Sequence, residues 1–562
     1  MRHFFHIDEE GARLIEKLSE RQRRLTLGAV DYNALIQPGR TLTYKLYMGQ
    51  KWQYPRLTDT STLNGVLTEQ AGLEPFAVFQ ATSSVKEKSY FSPHYFAGDE
   101  QLVDRNIRCL LLTPDDATDD DVEQNRPVDR HARLYRKVES EAPAFFDMLR
   151  EAKRVQRERI GKTAIAPFEP ATITRVNESG YSHHPWVEIV PGKAAPDAPK
   201  AVIIAMHWLQ SGGAERWAME TVTLARQAGL LPIIITDSDG HQPWITRHEF
   251  DDAVLLPLTL PLQDRVGDAT LLRALFEQFN IVGVLIHHCQ WMYDNVWWVK
   301  RYFPETHVVD SLHIVEYIFH GGYPSESVAR DKWIDIHHVI SPQLEHWMED
   351  VHHIDPKKVV DAPLVGLTAD SKTPTFKSRD ISKPLTISFV GRNVRQKRPE
   401  TFILAVRELN KKFPGKLRFI MQGNGDMDEF VDRLIERYGL GTVIQRCSMS
   451  TPVSQTYAQT DILLVSSMNE GITLTTIEAV SAGIPVISSN VGSQDTLVPP
   501  QGLCRRGSAQ FVHDATAIVG RVLESEENRK KLWEAEKDRL EKFSELQSAN
   551  EYFRNMLTKW SH

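Results

Sequence analysis

The chain has 562 residues, of which 41% are hydrophobic and 25% charged, and its formal net charge is −8 at pH 7. A chain of this length and composition is an ordinary globular protein that divides into roughly two to four domains. Its acidic balance argues against the broad basic face of nucleic-acid binders, so we expect no nucleic-acid partner.

The cysteines and the apolar runs restrict the compartment. The four cysteines lie far apart, without the pairing of a disulfide framework or the spacing of a thiolate metal site. The opening "MRHFFHIDEE" turns acidic at once, and no apolar run approaches the ~20 residues that span a bilayer. We therefore expect a cytoplasmic protein with at most a peripheral contact at the inner face of a membrane. The sequence leaves its oligomeric state open.

Residues 1–195 lack a regular alternation of strands and helices, and we interpret them as an α+β accessory domain. Strand-like patterns occur in "TLTYKLYMG", "FAVFQATS" and "IRCLLLTP". The stretch "ESEAPAFFDMLREAKRVQRERIGK" predicts a helix with a strongly basic end. Two interpretations of this helix stay open. Its mixed charges and narrow apolar face favour a solvated helix, and its basic end would suit an anionic membrane surface.

An acidic run, "DDATDDDVE" at residues 115–123, could be taken for an Asp-X-Asp metal site. No convincing nucleotide-binding domain precedes it, so we interpret it as a solvated loop or a helix N-cap. The histidine pairs that begin at 183, 287, 337 and 352 lack a shared helical spacing for zinc. We expect no metal and no cofactor. Turnover that EDTA abolishes and manganese restores would contradict this expectation.

From residue 196 to 375, short apolar runs alternate with longer amphipathic stretches. The runs "KAVIIAMHWL", "LPIIITD", "VGVLIHH", "THVVDSLH" and "HHVIS" are typical of buried parallel strands. A polar, proline-containing linker follows, and a second series over residues 376–535 runs from "LTISFVG" to "PVISSN". The sequence therefore predicts an α/β protein with two successive Rossmann-like, doubly wound domains.

The stretch "QSGGAERW" places Gly212 and Gly213 between the first strand and the first helix of the first Rossmann-like domain. Glycines there let the backbone approach a phosphate at a helix N-terminus. A plain tight turn is the alternative, because two glycines are not the full dinucleotide fingerprint.

The stretch "SFVGRNVRQKRP" opens the second Rossmann-like domain, with Gly391 at the end of its first strand and Arg392 and Lys397 after it. Two cations at the carboxyl end of a parallel strand suit a diphosphate whose negative charge grows as it leaves. A solvated basic loop is the alternative.

The stretch "NEGITLTTIEAVSAGIPVI" places Glu470 after a strand and Glu478 just inside the following helix. Between them, residues 471–475 form a loop and a first helical turn whose N–H groups suit an anion. The two carboxylates lie too far apart to act on one atom, so we expect them to hold two parts of one extended ligand. A paired-acid hydrolase is the rival, but it would not need phosphate-binding backbone and nearby cations.

Together, these motifs resemble the retaining GT-B glycosyltransferases, a large family that includes sucrose synthases, lipopolysaccharide glucosyltransferases and phosphatidylinositol mannosyltransferases. The matching features are Gly-Gly-Ala-Glu at 212–215, Gly-Arg and a lysine within 391–397, and two glutamates within 470–478 followed by "AVSAGIPVI". The similarity covers residues 200–562. It implies a GT-B fold of two facing Rossmann-like domains. It also implies a C-terminal helix, within 536–562, that packs back on the first domain through Phe553, Met556 and Trp560.

The resemblance also implies a role for each motif. Arg392 and Lys397 would stabilise the donor diphosphate, Glu470 would bind sugar hydroxyls and Glu478 the ribose. The backbone after Gly471 would receive phosphate or sugar oxygens, at Ile472, Thr473, Leu474 and Thr475. The family's reaction-centre histidine matches His313, with His287 and His288 as competing candidates. Where relatives often have Gly-Phe-Gly or Gly-Phe-Pro after the first glutamate, this chain has Gly-Ile-Thr, which leaves the donor preference open.

The activity implied is metal-independent transfer of a hexose, with retention, from a nucleotide diphosphate sugar to a glycan, lipid-linked or protein acceptor. Such a step belongs to cell-surface polysaccharide or glycoconjugate synthesis. The alternative is a non-catalytic glycan- or nucleotide-binding component of an assembly complex. The presence of both cations and both glutamates favours the enzyme. The sequence leaves the base, sugar, acceptor and linkage open.

Overall fold

A computed structural model of the chain describes most of its residues. The described ranges are 3–57, 62–63, 66–67, 72–86, 106–125, 130–160, 164–170, 191–258, 266–317, 321–365, 374–448 and 451–562.

Nineteen strands and eighteen α-helices lie in these ranges. The strands are β1 (Phe5–Ile7), β2 (Thr41–Met48), β3 (Thr62–Leu63), β4 (Val66–Leu67), β5 (Ala77–Ser83), β6 (Ile107–Leu112), β7 (Lys200–Met206), β8 (Leu231–Thr236), β9 (Val254–Pro257), β10 (Asn280–His287), β11 (His307–Leu312), β12 (Ile336–Val339), β13 (Val359–Asp361), β14 (Leu385–Val390), β15 (Leu417–Gln422), β16 (Ile444–Cys447), β17 (Ile462–Val465), β18 (Val486–Ser489) and β19 (Leu503–Cys504). The helices are α1 (Glu9–Glu16), α2 (Glu20–Ile36), α3 (Asp119–Asn125), α4 (Arg130–Glu141), α5 (Pro143–Ile160), α6 (Gly213–Gln227), α7 (Val266–Gln278), α8 (Gln290–Tyr302), α9 (Tyr323–Ala329), α10 (Pro342–His346), α11 (Pro399–Lys412), α12 (Asp428–Arg437), α13 (Val453–Gln459), α14 (Leu474–Ser481), α15 (Gln494–Leu497), α16 (Ser508–Glu524), α17 (Glu526–Ser544) and α18 (Ala549–Ser561).

Two parallel sheets form the two Rossmann-like domains. The first sheet has the strand order β13-β12-β11-β10-β7-β8-β9, and the second has the order β16-β15-β14-β17-β18-β19. In each sheet the first strand in sequence lies in the middle. The next two strands are added on one side of it, and the remaining strands are added on the opposite side. Such a reversal leaves a crevice at the carboxyl ends of the two central strands, where doubly wound sheets bind ligands. The predicted doubly wound domains are thus confirmed, and the crevices lie beyond β7 and β10 and beyond β14 and β17.

Burial on both faces explains the apolar runs in the sequence. In β7, every residue from Ala201 to Met206 is at most 1% exposed. Strands buried on both faces need no alternation of apolar and polar residues, because helices cover the sheet on each side. The helix α6 that follows ends before Gly229, whose φ of +78° suits a residue without a Cβ.

A separate four-stranded sheet, in the order β1-β5-β2-β6, belongs to the N-terminal region. This region packs against the first Rossmann-like domain. The rings of Phe4 and Phe279 lie 5.8 Å apart, and the guanidinium of Arg21 on α2 donates to the carbonyl oxygen of His241 at 2.6 Å. Gly28 on α2 also comes close to β9, since a Cβ there would lie 2.9 Å from the carbonyl oxygen of Leu255. The domain boundary at residue 195 remains a prediction.

The basic stretch predicted as one helix, residues 139–162, is divided between the last three residues of α4 and the helix α5. The break falls at Pro143, which is the first residue of α5. Proline suits the first turn of a helix but interrupts a helix interior, because it lacks an N–H and its ring clashes with the preceding turn. Both helices contact the second Rossmann-like domain, where Glu139 pairs with Arg395 at 2.6 Å and Asp147 accepts from the Ser508 N–H at 3.1 Å.

The C-terminal helix α18 packs on the first Rossmann-like domain. Phe553 is fully buried, with its ring 5.0 Å from the rings of both Trp217 and His338. A Cβ at Gly283 on β10 would overlap the ring of Trp560, so this glycine makes room for the helix. Met556 is partly buried against the same core.

Residues 368–373 of the predicted linker (368–384) lie outside the described residues. The rest runs along the second domain, where the Lys377 N–H donates to the Gly483 carbonyl oxygen at 3.0 Å. Of the helices in the described ranges, none is long and apolar enough to cross a membrane.

Candidate functional site

The candidate site lies where the carboxyl ends of the two parallel sheets face each other. The side-chain amide of Asn469, after β17, donates to the carbonyl oxygen of Val315, after β11, at 2.7 Å. A Cβ at Gly471 would overlap the carbonyl oxygen of His313. The two domains therefore touch at the loop that carries Glu470, and glycine permits this approach.

Lys397 and Glu470 form an ion pair within the second domain. Their Nζ and Oε1 atoms lie 2.6 Å apart, and their side chains are 23% and 7% exposed. The loop after β14 brings Lys397 to this position, and a Cβ at Gly391 would lie 3.8 Å from the lysine Cγ. Arg392, in the same loop, is exposed. The structure thus brings one of the two predicted cations directly to the first predicted glutamate.

Arg398 fixes the conformation of the loop after β14, residues 391–398, which we call the cation loop. It is a non-glycine residue at φ +49° and is fully buried. Its guanidinium donates to the carbonyl oxygens of Ser466 at 2.8 Å and Arg506 at 2.7 Å, and it pairs with Asp147 on α5 at 3.3 Å. Sequence analysis did not identify Arg398 as part of the site, because only distant segments supply its partners.

A second loop, residues 491–494, supports the loop that carries Glu470. Gly492 has φ +58°, and a Cβ there would overlap the carbonyl oxygen of Glu470. The Ser493 N–H donates to the carbonyl oxygen of Gly471 at 2.8 Å. Ser493 also accepts, through its Oγ, the N–H of Gln343 from the first domain at 3.1 Å. The sequence signal for this support is a glycine after the strand "PVISSN", which we did not assign.

The N-terminus of α14 follows directly. Thr473 is the N-cap residue, but its side chain makes no capping hydrogen bond, and its Oγ1 accepts from the Gln494 amide at 2.6 Å. The first amides of the helix therefore gain no side-chain cap from Thr473, and such amides suit an anion. Ile472 is buried, and Leu474 and Thr475 are half-buried.

Glu478 lies on α14 between two partners that sequence analysis missed. The Tyr457 hydroxyl on α13 donates to its Oε2 at 3.0 Å, and Arg216 on α6 lies 3.6 Å from its Oε1. Burial raises the pKa of Glu478, and these two partners oppose the rise. Because Arg216 belongs to the first domain, Glu478 connects the two sides of the cleft.

On the first-domain side, the carboxylate of Glu215 occupies the space above Gly212. A Cβ at Gly212 would overlap this carboxylate, which accepts from Trp208 Nε1 at 2.7 Å and lies 3.0 Å from His207 Nε2. Burial raises the pKa of Glu215, but the hydrogen bonds from His207 and Trp208 outweigh it and lower the pKa to about 2. An anion at Gly212 would meet this negative charge.

Gly213 instead faces the second domain. A Cβ at this position would lie 3.4 Å from the Cδ1 atom of Leu474, at the start of α14. Of the two glycines, Gly213 is thus the one placed beside the predicted phosphate-binding turn.

The candidate histidines separate into two environments. The rings of His313 and His288 lie 5.0 Å apart, and His288, at φ +56°, stacks on Tyr323 at 4.8 Å. His287 instead lies against α6, with its Nε2 3.2 Å from the Thr221 hydroxyl. Burial lowers the pKa of all three imidazoles well below the usual value, which favours their neutral forms. His313 and His288 therefore lie side by side, whereas His287 is held against α6 by Thr221.

No three histidine, cysteine, aspartate or glutamate side chains in the described ranges are grouped so that they could hold a metal ion. In the acidic run, Asp121 accepts from the N–H of Thr118 at 2.8 Å and from its hydroxyl at 2.9 Å, at the start of α3.

Comparison with known proteins gives a family for the second domain. Residues 371–540 match the family model described as "Glycosyl transferases group 1". The chain is 28% identical over 237 residues to the D-inositol 3-phosphate glycosyltransferase of Corynebacterium kroppenstedtii, covering 37% of this chain and 52% of that protein. It is 30% identical over 134 residues to the UDP-N-acetylglucosamine–peptide N-acetylglucosaminyltransferase GtfA subunit of Streptococcus pneumoniae, covering 24% of this chain and 25% of that protein. The chain thus spans about half, or less, of the length of these curated relatives.

Among solved structures, Anabaena HepE in complex with UDP matches with a TM-score of 0.50 and 12% identity. The match covers 64% of this chain and 98% of HepE. At this identity the likeness concerns the fold. The chain has the GT-B fold of two facing Rossmann-like domains, and its residues 371–540 match the group 1 glycosyltransferase family.

Proposed function

We propose that the protein is a retaining, metal-independent glycosyltransferase that moves a hexose from a nucleotide diphosphate sugar to an acceptor. One observation carries the proposal. Lys397 and Glu470, the N-terminus of α14, and Glu478 with Tyr457 succeed one another along one side of the cleft. That order matches the sugar, the diphosphate and the ribose of an extended donor.

In the proposed reaction, Lys397 and Arg392 stabilise the diphosphate as negative charge grows on it. Glu470 holds sugar hydroxyls, and the backbone of residues 471–475 receives phosphate or sugar oxygens. The bond from the anomeric carbon to the phosphate oxygen breaks as a bond to the acceptor oxygen forms on the same face of the sugar. The leaving phosphate takes the acceptor proton, and His313 lies near the reaction centre.

The acceptor class in this proposal is a glycan, a lipid-linked molecule or a protein, in cell-surface polysaccharide or glycoconjugate synthesis. The names of two relatives include D-inositol 3-phosphate and a peptide, and these point to the acceptors of those proteins. The proposed location is the cytoplasm, with a peripheral contact at the inner face of a membrane.

The test is a panel of UDP-, GDP- and ADP-sugars, with products identified by mass spectrometry. UDP-sugars come first, because HepE is solved with UDP and the name of the GtfA subunit includes UDP-N-acetylglucosamine. We expect hydrolysis or transfer with at least one donor, unchanged by EDTA. Nucleotide binding without turnover across donors and acceptors would instead indicate the non-catalytic binding component. Turnover lost with EDTA and restored by manganese would contradict metal independence.

A further inference from the structure

The hairpin formed by α4 and α5 buries several charged side chains and exposes apolar ones. Glu139, Asp147 and Arg154 are at most 6% exposed. Large apolar residues of the same two helices are between 37% and 61% exposed, namely Leu134, Tyr135, Val138, Phe145, Met148, Leu149 and Val155. We call these seven residues the hairpin face. Their exposure reverses the usual distribution, in which apolar side chains lie inside.

Packing on the second Rossmann-like domain accounts for two of the buried charges. Both carboxylate oxygens of Glu139 accept from Arg395, at 2.6 and 3.0 Å. Asp147 pairs with Arg398 at 3.3 Å, while Arg154 pairs with Glu151 on its own helix at 2.7 Å. The domain therefore uses Glu139 and Asp147 for ion pairs and removes these two carboxylates from the outer surface of the hairpin.

The hairpin face is continuous. On α5, Phe145, Leu149 and Val155 recur at helical spacing, with the exposed Ala152 between the last two. The two helices meet where the ring of Tyr135 packs edge-on against Phe146, at 5.1 Å. Seven side chains about half exposed present on the order of 500 Å² of surface, and monomeric proteins seldom expose more in one apolar patch.

The charged residues beside the hairpin face indicate which kind of partner it can bind. Lys153 is exposed and lies one helical turn from Leu149. Glu141, an exposed acid of α4, pairs with Arg437 at 2.7 Å. A second copy of this face would bring Lys153 towards another lysine. An anionic bilayer would instead accept apolar side chains at its headgroup boundary and place Lys153 beside lipid phosphates.

We propose that the hairpin face docks the protein on an anionic lipid surface. This proposal identifies the part of the protein that makes the peripheral membrane contact. Only the statement about a lipid-linked acceptor rests on the proposed function. The end of α5 lies near the cleft, since Glu158 is within electrostatic range of Tyr317, four residues after His313. A lipid-linked acceptor held in the same bilayer would thus lie near the edge of the cleft.

The test is flotation of the full chain with vesicles of phosphatidylcholine alone, or of equal parts phosphatidylcholine and phosphatidylglycerol. We expect flotation with the anionic vesicles, weakened at physiological salt. The triple change Phe145→Ser, Met148→Ser and Leu149→Ser should weaken binding roughly tenfold or more, because the inserted apolar area is lost. Lys153→Glu should weaken it only with anionic vesicles. The matched control is Ile381→Ser, an apolar residue that is 73% exposed outside the hairpin.

Three outcomes would overturn the proposal: no flotation of the unchanged chain, equal flotation of the triple variant, or a dimer in solution that the triple variant dissociates. Because the changed residues are exposed, we expect the triple variant to keep its thermal unfolding temperature, which is measured in parallel. Donor hydrolysis without vesicles, measured on the same variants, separates this inference from the proposed function. Its absence would count against the enzyme and leave the flotation result standing.

Discussion

At the residue scale, Lys397 and Glu470 depend on each other. The lysine Nζ lies 2.6 Å from the Glu470 carboxylate, which is only 7% exposed, and we propose that both side chains contact the donor. A ligand that binds there meets a preformed pair of charges, which costs little reorganisation during the reaction.

We predict that Lys397→Ala and Arg392→Ala each lower kcat by ~10²–10³, since each removes a cation that stabilises the leaving diphosphate. Steady-state kinetics with the active donor measures this effect. Lys411→Ala, on the exposed surface of α11, is the control and should keep normal turnover. Near-normal turnover in both site variants would contradict the proposed roles.

The contacts of Glu478 lead to a different expectation. Glu478→Ala and Tyr457→Phe should chiefly weaken nucleotide binding, because a hydrogen bond to a charged group contributes about 1.5–3 kcal/mol. Calorimetric titration with the nucleoside diphosphate should show at least about a tenfold rise in Kd. Tyr438→Phe, outside the site, is the control for the tyrosine change.

Glu470→Ala should instead reduce kcat, because Glu470 positions the sugar.

His338 gives the protein a pH-dependent stability. Its Nε2 donates to the Ala362 carbonyl oxygen at 2.7 Å and its Nδ1 lies 2.8 Å from the Ser311 hydroxyl, while burial lowers its pKa to about 4. The unfolded chain, with a histidine pKa of about 6.5, binds the proton first as the pH falls. The imidazole therefore destabilises the fold progressively between those two pKa values.

We predict that His338→Gln removes part of this acid sensitivity, by about 2 kcal/mol at about pH 5 relative to neutral pH. Urea unfolding at the two pH values measures the difference. His248→Gln is the control, because that side chain is 86% exposed. An unchanged pH dependence of the His338 variant would show that this imidazole does not contribute to it.

At the scale of elements, the α4–α5 hairpin supports the cation loop. Asp147 holds the buried guanidinium of Arg398 and the N–H of Ser508, and Arg398 directly follows Lys397. The hairpin thus contributes to the geometry of a site that belongs to another domain.

We predict that Asp147→Ala lowers the free energy of unfolding by about 3–5 kcal/mol, because Arg398 would be left as an uncompensated buried charge. Equilibrium denaturation in urea measures this loss. The matched control is Glu141→Ala on α4, whose pair with Arg437 is exposed and should contribute less than about 1 kcal/mol. Equal effects of the two changes would contradict a supporting role for the hairpin.

The sequence predicted the basic helix but not its division or its orientation. Helical periodicity continues through the stretch, so Pro143 is the only local signal of the break, and it is compatible with either a first turn or a kink. Which sides of α4 and α5 face inward depends on Arg395 and Arg398, respectively, more than 200 residues away along the chain.

At the scale of the whole molecule, α18 closes the first Rossmann-like domain. The ring of Phe553 is fully buried between Trp217 and His338. We predict that Phe553→Ala destabilises the protein by about 3–5 kcal/mol through lost burial and a cavity. Thermal and urea unfolding measure the loss. Leu546→Ala, which changes a leucine that is 42% exposed, should have little effect.

The sequence by itself determined the two doubly wound domains and the placement of Gly391, Glu470 and Glu478. Each depends on a short strand–turn–helix segment, and local geometry fixes which residue stands at a strand's carboxyl end or in the first turns of a helix.

Only the tertiary structure decided the partners of those residues. Tyr457 and Arg216 reach Glu478 from other elements, and Glu139 meets Arg395 across 256 positions of the chain. No local pattern encodes such contacts, because they depend on how distant segments pack. The same packing determines which charges of the predicted basic helix remain at the surface. In the sequence its acids balance its bases, but folding buries two of the acids against the second domain and leaves an apolar, lysine-flanked face outside.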